Sequence, residues 1–302
     1  MQFLNTMVAR AIPFIPRALV QKISRRYIAG DTLEEALIRV QQLNAQGFLV
    51  TLDVLGEAVS TLEQTQATAD DYIKVIDAIH THGLQASISI KPSALGLLLD
   101  EQHCEQLTRR ILDCASQRQT SICLDMEDAG CTQKEIDLFV RLKACNRSIS
   151  LALQAYLLRT YQDIEPLVRD ISSLRICKGI YVEDPSLLVP NASDDRTAIN
   201  EHFLKHVSRC FDTGNFVAIA THDAVLIKQA IALIHRNQID RSKFEFQMLL
   251  GVCEPLRDQL LAMGFNVRIY VPYGHDWYGY STRRLNENPR IAGYVAKALF
   301  GF

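Results

Sequence analysis

Apolar residues in this chain come in short bursts separated by helix-sized amphipathic stretches, and the pattern recurs along nearly the whole length. Thr32-x-x-Glu35 is a capping-box signal ahead of Leu33, Leu37, Val40 and Leu43, which share one helical face, and Gly47 supplies a stop. A short β-branched run follows at 48–53, then a turn at Gly56. A second helical run, carrying Tyr72, Val75, Ile76 and Ile79, ends at Gly83. The same alternation predicts strands over 48–53, 86–91, 120–125, 148–154, 173–178, 216–221, 243–250 and 267–271. Strands separated by helix-sized stretches imply parallel pairing through crossover helices, and eight such units close a (β/α)8 barrel. A final helix after Gly274 would complete it. The rival, a doubly wound open sheet, lacks its G-x-G-x-x-G turn after the first strand.

Composition sets limits on that picture. With 302 residues, 48% of them hydrophobic and 22% charged, the chain can bury a large core, and a barrel can take this length as one domain. Thirty-two basic against 34 acidic residues leave a net charge of −2, which gives no field to gather nucleic acid, so none is expected as a partner. Eight cysteines without a C-x-x-C pair read as free thiols in a reducing, cytoplasmic setting. No run of about eighteen uncharged apolar residues is present to span a bilayer. Residues 1–30 mix apolar positions with Arg10, Arg17, Lys22, Arg25 and Arg26 and hold no acid, a pattern that suits a membrane-surface helix. Pro13 and Pro16 interrupt it, which favours a helical arm packed on its own domain. The expected division is an arm at 1–44 and a barrel at 45–302.

The chemistry should lie at the carboxyl ends of the strands. Strand one leads to Asp53 and Glu57, strand two to Lys91, strand three to Asp125 and Glu127, and strand four to Gln154. Strand five carries Arg175 and Lys178, strand six Thr221 and His222, strand seven Gln247 and strand eight Tyr270. One ionisable group at a strand end is ordinarily solvated or paired, but so many at one rim mark a site. Beyond the last strand, a helix over 277–288 would set Tyr280, Arg283, Arg284 and Glu287 on one face. Adjacent arginines offer planar forks for a carboxylate or phosphate. No metal cluster and no G-x-S-x-G elbow occurs, so a small anionic substrate and a borrowed cofactor are the economical inference.

These residues are recognisable as a set. LDVLGEA at 52–58, SIKPSAL at 89–95, LDMED at 124–128, LQAYL at 153–157, RICKGIY at 175–181, ATHD at 220–223, EFQMLLGV at 245–252 and RIYVPYGHDWYGYSTRRLNENP at 268–289 together resemble proline dehydrogenase of the monofunctional bacterial type. They are similar also to the catalytic domain of bifunctional proline utilisation flavoproteins. The resemblance implies an α/β fold, a distorted (β/α)8 TIM barrel with an N-terminal helical arm. It implies FAD-dependent oxidation of L-proline to 1-pyrroline-5-carboxylate, with electrons passed to a membrane quinone and pyrroline-5-carboxylate dehydrogenase downstream. It also implies that Lys91, Arg283 and Arg284 bind the substrate carboxylate while Tyr270, Tyr280 and Leu249 wall the ring. Asp125 would lie beneath the substrate and hold Lys91 or Tyr181 by hydrogen bonding, and Glu57 would pair with Arg283 as a lid. Arg175 would lie against flavin N5, and Met126, Gln154, Lys178, Gly179, Ile180, Thr221 and His222 would contact FAD. Pro92, Ile180 and His275 depart from the family pattern without removing a catalytic group. Two other readings stay open on sequence alone: a Schiff-base barrel lyase using Lys91 or Lys178, and a catalytically silent barrel that binds an amino acid.

Overall fold

The computed structural model describes residues 24–56, 59–145, 148–170, 172–278 and 280–281. The basic arm up to residue 23, Glu57, Arg283, Arg284 and Glu287 lie outside them. Helix α1 spans Leu33–Ala45, and the Thr32/Glu35 capping box starts it: the Glu35 amide donates to Thr32 Oγ1, and Glu35 Oε2 accepts from the Thr32 amide. Then follow β1 Leu49–Val54, α2 Leu62–Thr81, β2 Ala86–Ile90, α3 Glu101–Gln117, β3 Ile122–Leu124, α4 Thr132–Lys143 and β4 Ile149–Gln154. The second half continues with α5 Thr160–Arg169, β5 Ser173–Cys177, α6 Ile199–Asp212, β6 Phe216–Ala220, α7 Ala224–Arg236, β7 Phe244–Leu249, α8 Glu254–Ala262 and β8 Val267–Tyr273. All eight strands pair in parallel and in chain order, and β8 returns to β1, so the sheet is a closed barrel. The eight predicted strands are all present.

The seam between β8 and β1 carries helix α1. Helix α1 packs against both strands, and the chain ahead of it is tied to the end of β8 by the Ala29 amide on the Pro272 carbonyl and the Gly274 amide on the Gly30 carbonyl. Ala36, Val40 and Leu43 of α1 join the same core as the strands. Of the helix expected after Gly274, only the first residues are described.

Strand alternation places the core outside the barrel wall. Leu52, Ile88, Ile90, Leu124, Leu151, Leu153, Ile176, Val217, Ile219, Phe246, Met248, Ile269 and Val271 are buried on the face that meets the helices. Barrel interiors are usually filled by layers of branched aliphatic side chains. Here the inward positions carry Cys123 and the polar residues Thr51, Ser87, Ser89, Arg175, Glu245, Gln247 and Arg268, and the polar ones bond one another. At the amino-terminal end Arg268 holds Glu245 through Nε on Oε1 at 2.6 Å and Nη2 on Oε2 at 3.0 Å, and its Nη1 reaches the Val50 carbonyl and Ser87 Oγ.

A buried pair of this kind stabilises little by its presence but costs about 3 to 5 kcal/mol when one partner is removed. Arg268→Met should lower the free energy of urea unfolding by about that amount, whereas Glu245→Leu combined with Arg268→Met should lose less than Arg268→Met alone. A double variant as unstable as the sum of its single substitutions would contradict this picture of the interior.

Candidate active site

The carboxyl ends of the strands hold two clusters, linked by the Gln154 bond to the Glu127 carbonyl. The first comes from β1, β2, β3, β5 and β8. Lys91 stands just past β2, where Pro92 both ends the ladder by lacking an N–H and opens a 3-10 turn over Pro92–Leu95. That turn is clamped by Glu127, whose carboxylate accepts from the Ser93 amide at 2.9 Å and from Ser93 Oγ. The Glu127 amide in turn donates to buried Glu135 on α4 at 3.0 Å.

Lys91 Nζ donates to Asp53, a residue 1% exposed at the end of β1, and lies 3.7 Å from Asp125. Asp125 accepts from Arg175 Nη1 at 2.6 Å, from Ser89 Oγ at 2.5 Å and from the Tyr270 hydroxyl at 2.7 Å. Asp125 thus faces Lys91 as an ion pair rather than through a short hydrogen bond. Asp53 is the hydrogen-bond acceptor for Lys91, Asp125 is tied to Arg175, Ser89 and Tyr270, and the Tyr181 carbonyl accepts from the Tyr156 hydroxyl. The physical reason is reach: the inward turn of β1 brings Asp53 against the ammonium, while Arg175 enters from β5 and takes the near oxygen of Asp125.

Electrostatics separate the two carboxylates. Burial raises Asp53 to about 6, with the Lys91 charge opposing and the Asp125 charge adding. Burial also pushes Asp125 up, but Arg175, Lys91 and the hydrogen bonds from Ser89 and Tyr270 outweigh it and hold that carboxyl below its ordinary range. Burial, followed by the charges of Asp125 and Asp53, lifts Tyr270 well above the usual tyrosine value, so the phenol keeps its proton and donates it to Asp125. The arrangement presents fixed charge and fixed donors. Lys91 is engaged by two carboxylates and Lys178 by Asp223, the opposite of the unpaired, desolvated amine that Schiff-base chemistry requires.

The second cluster lies at the ends of β4 to β7. Gln154 Nε2 donates to the Glu127 carbonyl at 2.7 Å. Lys178 Nζ donates to Asp223 at 2.8 Å and to the Arg196 carbonyl, and Arg196 returns a bond to the Gly179 carbonyl. Gly179 has φ +97°, and a Cβ there would stand 2.2 Å from the Tyr156 ring, so both the backbone and the neighbour demand glycine. Thr221 Oγ1 accepts from the Asp223 amide, and His222 Nε2 accepts from the Leu249 amide at 2.8 Å, which leaves Nδ1 as the place for a ring proton. Burial raises Asp223, yet Lys178, the α7 amides and Asn200 hold its carboxyl near 2. Met126 and Tyr280 are buried, while Ile180 and His275 are exposed.

Lys91, Asp125, Arg175 and Tyr270 are linked directly by ion pairs and hydrogen bonds, and Lys178, Gly179, Thr221 and His222 lie just past the ends of β5 and β6. Glu57, Arg283 and Arg284 are outside the described residues. Asp53 stood in the sequence at a strand end but had been given no role; Asp223, Arg196, Ser89 and Glu135 were missed. The ATHD motif contains Asp223, and the i, i+2 alternation of polar residues in β2 and β7 was the signal for Ser89 and for the Gln247–Glu245 step below it.

Burial and the Glu127 charge raise Glu135 to about 9. The folded protein therefore holds a proton there that the unfolded chain loses near 4.5, so this group's contribution to stability is complete below about 4.5 and fades as pH rises toward about 9. Thermal unfolding across that range should show the melting point of the natural protein falling relative to that of Glu135→Gln, whose side chain cannot ionise. Parallel curves would contradict the raised carboxyl.

Comparisons with known proteins agree with this geometry. The family model for proline dehydrogenase matches residues 36–297. Proline dehydrogenase 1 of Bacillus subtilis subsp. natto is 35% identical over 277 residues, 91% of this chain and 90% of the relative. The proline dehydrogenase of Deinococcus radiodurans is 34% identical over 291 residues, 94% of this chain and 92% of the relative. Among solved structures, proline utilization A from Bdellovibrio bacteriovorus, inactivated by N-propargylglycine, superposes with a TM-score of 0.82 at 19% identity over 89% of this chain and 33% of that one, a likeness of fold. With one family model covering most of the sequence and near full-length relatives above 30% identity, the chain belongs to the proline dehydrogenase family.

Proposed function

We propose that this chain oxidises L-proline to 1-pyrroline-5-carboxylate with FAD as the resident cofactor and a quinone as the electron acceptor. The observation that carries the reading is the Lys91–Asp125–Arg175–Tyr270 cluster at the carboxyl rim of a barrel in this family. The substrate is an anion at its carboxylate, and Lys91 is the described cation placed to meet it, with Arg283 and Arg284 proposed as its companions. Tyr270, Tyr280 and Leu249 supply apolar walls for the ring, and Glu57 is proposed to pair with Arg283 over the bound substrate.

The residues fit FAD on two counts. Arg175 is buried, its Nε and Nη1 are engaged, and its Nη2 has no hydrogen-bond partner among the described residues. Gln154 likewise uses Nε2 on the Glu127 carbonyl and keeps Oε1 without one among the described residues. Arg175, Gln154, Lys178, Gly179, Thr221 and His222, with Met126 and Ile180, would hold the cofactor along the ends of β3 to β6. FAD, when bound, supplies the two-electron acceptor that the protein lacks. The oxidation removes a hydride from C5 of proline and a proton from its nitrogen. Arg175 presents fixed positive charge where electron density arrives, a contribution realised only as the reaction proceeds. Asp125, held anionic, keeps Arg175 and Tyr270 in place. Among the described residues no helix is long and apolar enough to cross a membrane. The proposed setting is the cytoplasm, with contact at the inner face of the membrane to reach the quinone. The product would pass to a pyrroline-5-carboxylate dehydrogenase.

The test is spectroscopic. The purified protein should be yellow and should bleach when L-proline is added without air. Arg175→Met should keep proline affinity while lowering the flavin potential and slowing reduction by about 10² to 10³. A colourless protein that forms a borohydride-trapped lysine adduct would overturn the proposal.

A further inference from the structure

Beneath the active-site rim, the amino-terminal half of the barrel interior contains a cavity of about 330 Å³ that reaches up to Arg175 and Gln247 and is lined below them by Glu245 and Arg268. The proposed reaction uses neither Gln247 nor Glu245, yet both are buried and both are fully directional. Arg175 Nε donates to Gln247 Oε1 at 2.7 Å, and Gln247 Nε2 donates to Glu245 Oε1 at 2.6 Å. A primary amide can sit in either of two flipped orientations, and here only one is compatible with its neighbours. A carboxylate can only accept, so Glu245 selects the amide nitrogen, and the carbonyl must then turn to the arginine. The flipped amide would set donor against donor at Arg175 and acceptor against acceptor at Glu245. Glu245 is itself fixed by the two-pronged Arg268 contact, and Arg268 by the Val50 carbonyl and Ser87.

We infer that Glu245 and Gln247 are positioning residues for Arg175: the carboxylate toward the amino-terminal end of the barrel fixes the Gln247 amide, and that carbonyl fixes the guanidinium at the reactive end. Asp125 and Ser89 hold one amino group of Arg175, and the Gln247 carbonyl holds Nε. Together they fix the guanidinium plane and leave Nη2 for the reaction partner. The inference rests on the reading of Arg175 as the cation beside the electron acceptor. It adds that the charge is aimed from below by residues that touch neither substrate nor cofactor.

The experiment measures flavin midpoint potential and the saturating rate of anaerobic reduction by L-proline in FAD-loaded Gln247→Met, in the charge-balanced Glu245→Leu/Arg268→Met pair, and in Arg175→Met. Expected are a lowered potential and a reduction rate slowed about tenfold in the first two, a smaller loss than Arg175→Met gives, with the proline concentration at half-saturation unchanged. A purely structural role would lower the melting point and leave the potential where it was. If Arg175→Met shifts potential and rate while both other variants keep natural values, the positioning inference is overturned and the reading of Arg175 stands. If Arg175→Met itself shifts neither, both fall together. Should the double variant fail to fold, Gln247→Met decides alone, since it removes the amide without unpairing a charge.

Discussion

Six formal charges, four of them buried and two partly so, line the axis of one barrel and must each find an opposite, and that requirement organises both the fold and the site. Asp53, Lys91, Asp125, Arg175, Glu245 and Arg268 alternate in sign and are linked by ion pairs and, through Gln247, by hydrogen bonds. Moving any one of these ions alone from water to the interior would cost several kcal/mol. Alternation lets neighbours offset one another, and the hydroxyls of Ser87, Ser89, Thr51 and Tyr270 satisfy further atoms. Such a column adds little net stability compared with an apolar filling, but it admits few alternative arrangements because each flip strands a charge.

The cost of a polar interior is met elsewhere. Aliphatic side chains on the outer face of every strand pack under the helices in one continuous core, and α1 seals the β8–β1 seam. At the rim, Glu127 ties the β2 turn to the β3 loop, and Glu135 holds Glu127 from behind. Lys91 and Asp125 therefore project from loops with little freedom, as a site built on fixed charge requires.

Much of this was legible in the sequence because parallel strands and amphipathic helices leave strong periodic marks. The eight strands, the capping box at Thr32 and Glu35, and the gathering of Lys91, Asp125, Arg175 and Tyr270 all followed from pattern and position. The ionic partners were harder to read. Asp53 and Asp125 are equivalent as strand-end acids, and only the packed geometry sends Lys91 to the first and Arg175 to the second. The Ala29 and Gly30 bonds to the end of β8, which bring α1 to the β8–β1 seam, leave no periodic mark in the sequence. Gln247 and Glu245 were visible as alternate polar residues in an otherwise apolar strand, but their role depends on which atom faces which, information that no spacing carries.

The buried column is tested most directly by side-chain NMR of protein labelled with ¹⁵N-arginine and transferred to D₂O near neutral pH. The Nε–H signals of Arg175 and Arg268, assigned by their loss in Arg175→Met and Arg268→Met, should persist long after those of exposed arginines such as Arg118 have exchanged. Exchange of both at the exposed rate would contradict a hydrogen-bonded charge column inside the barrel.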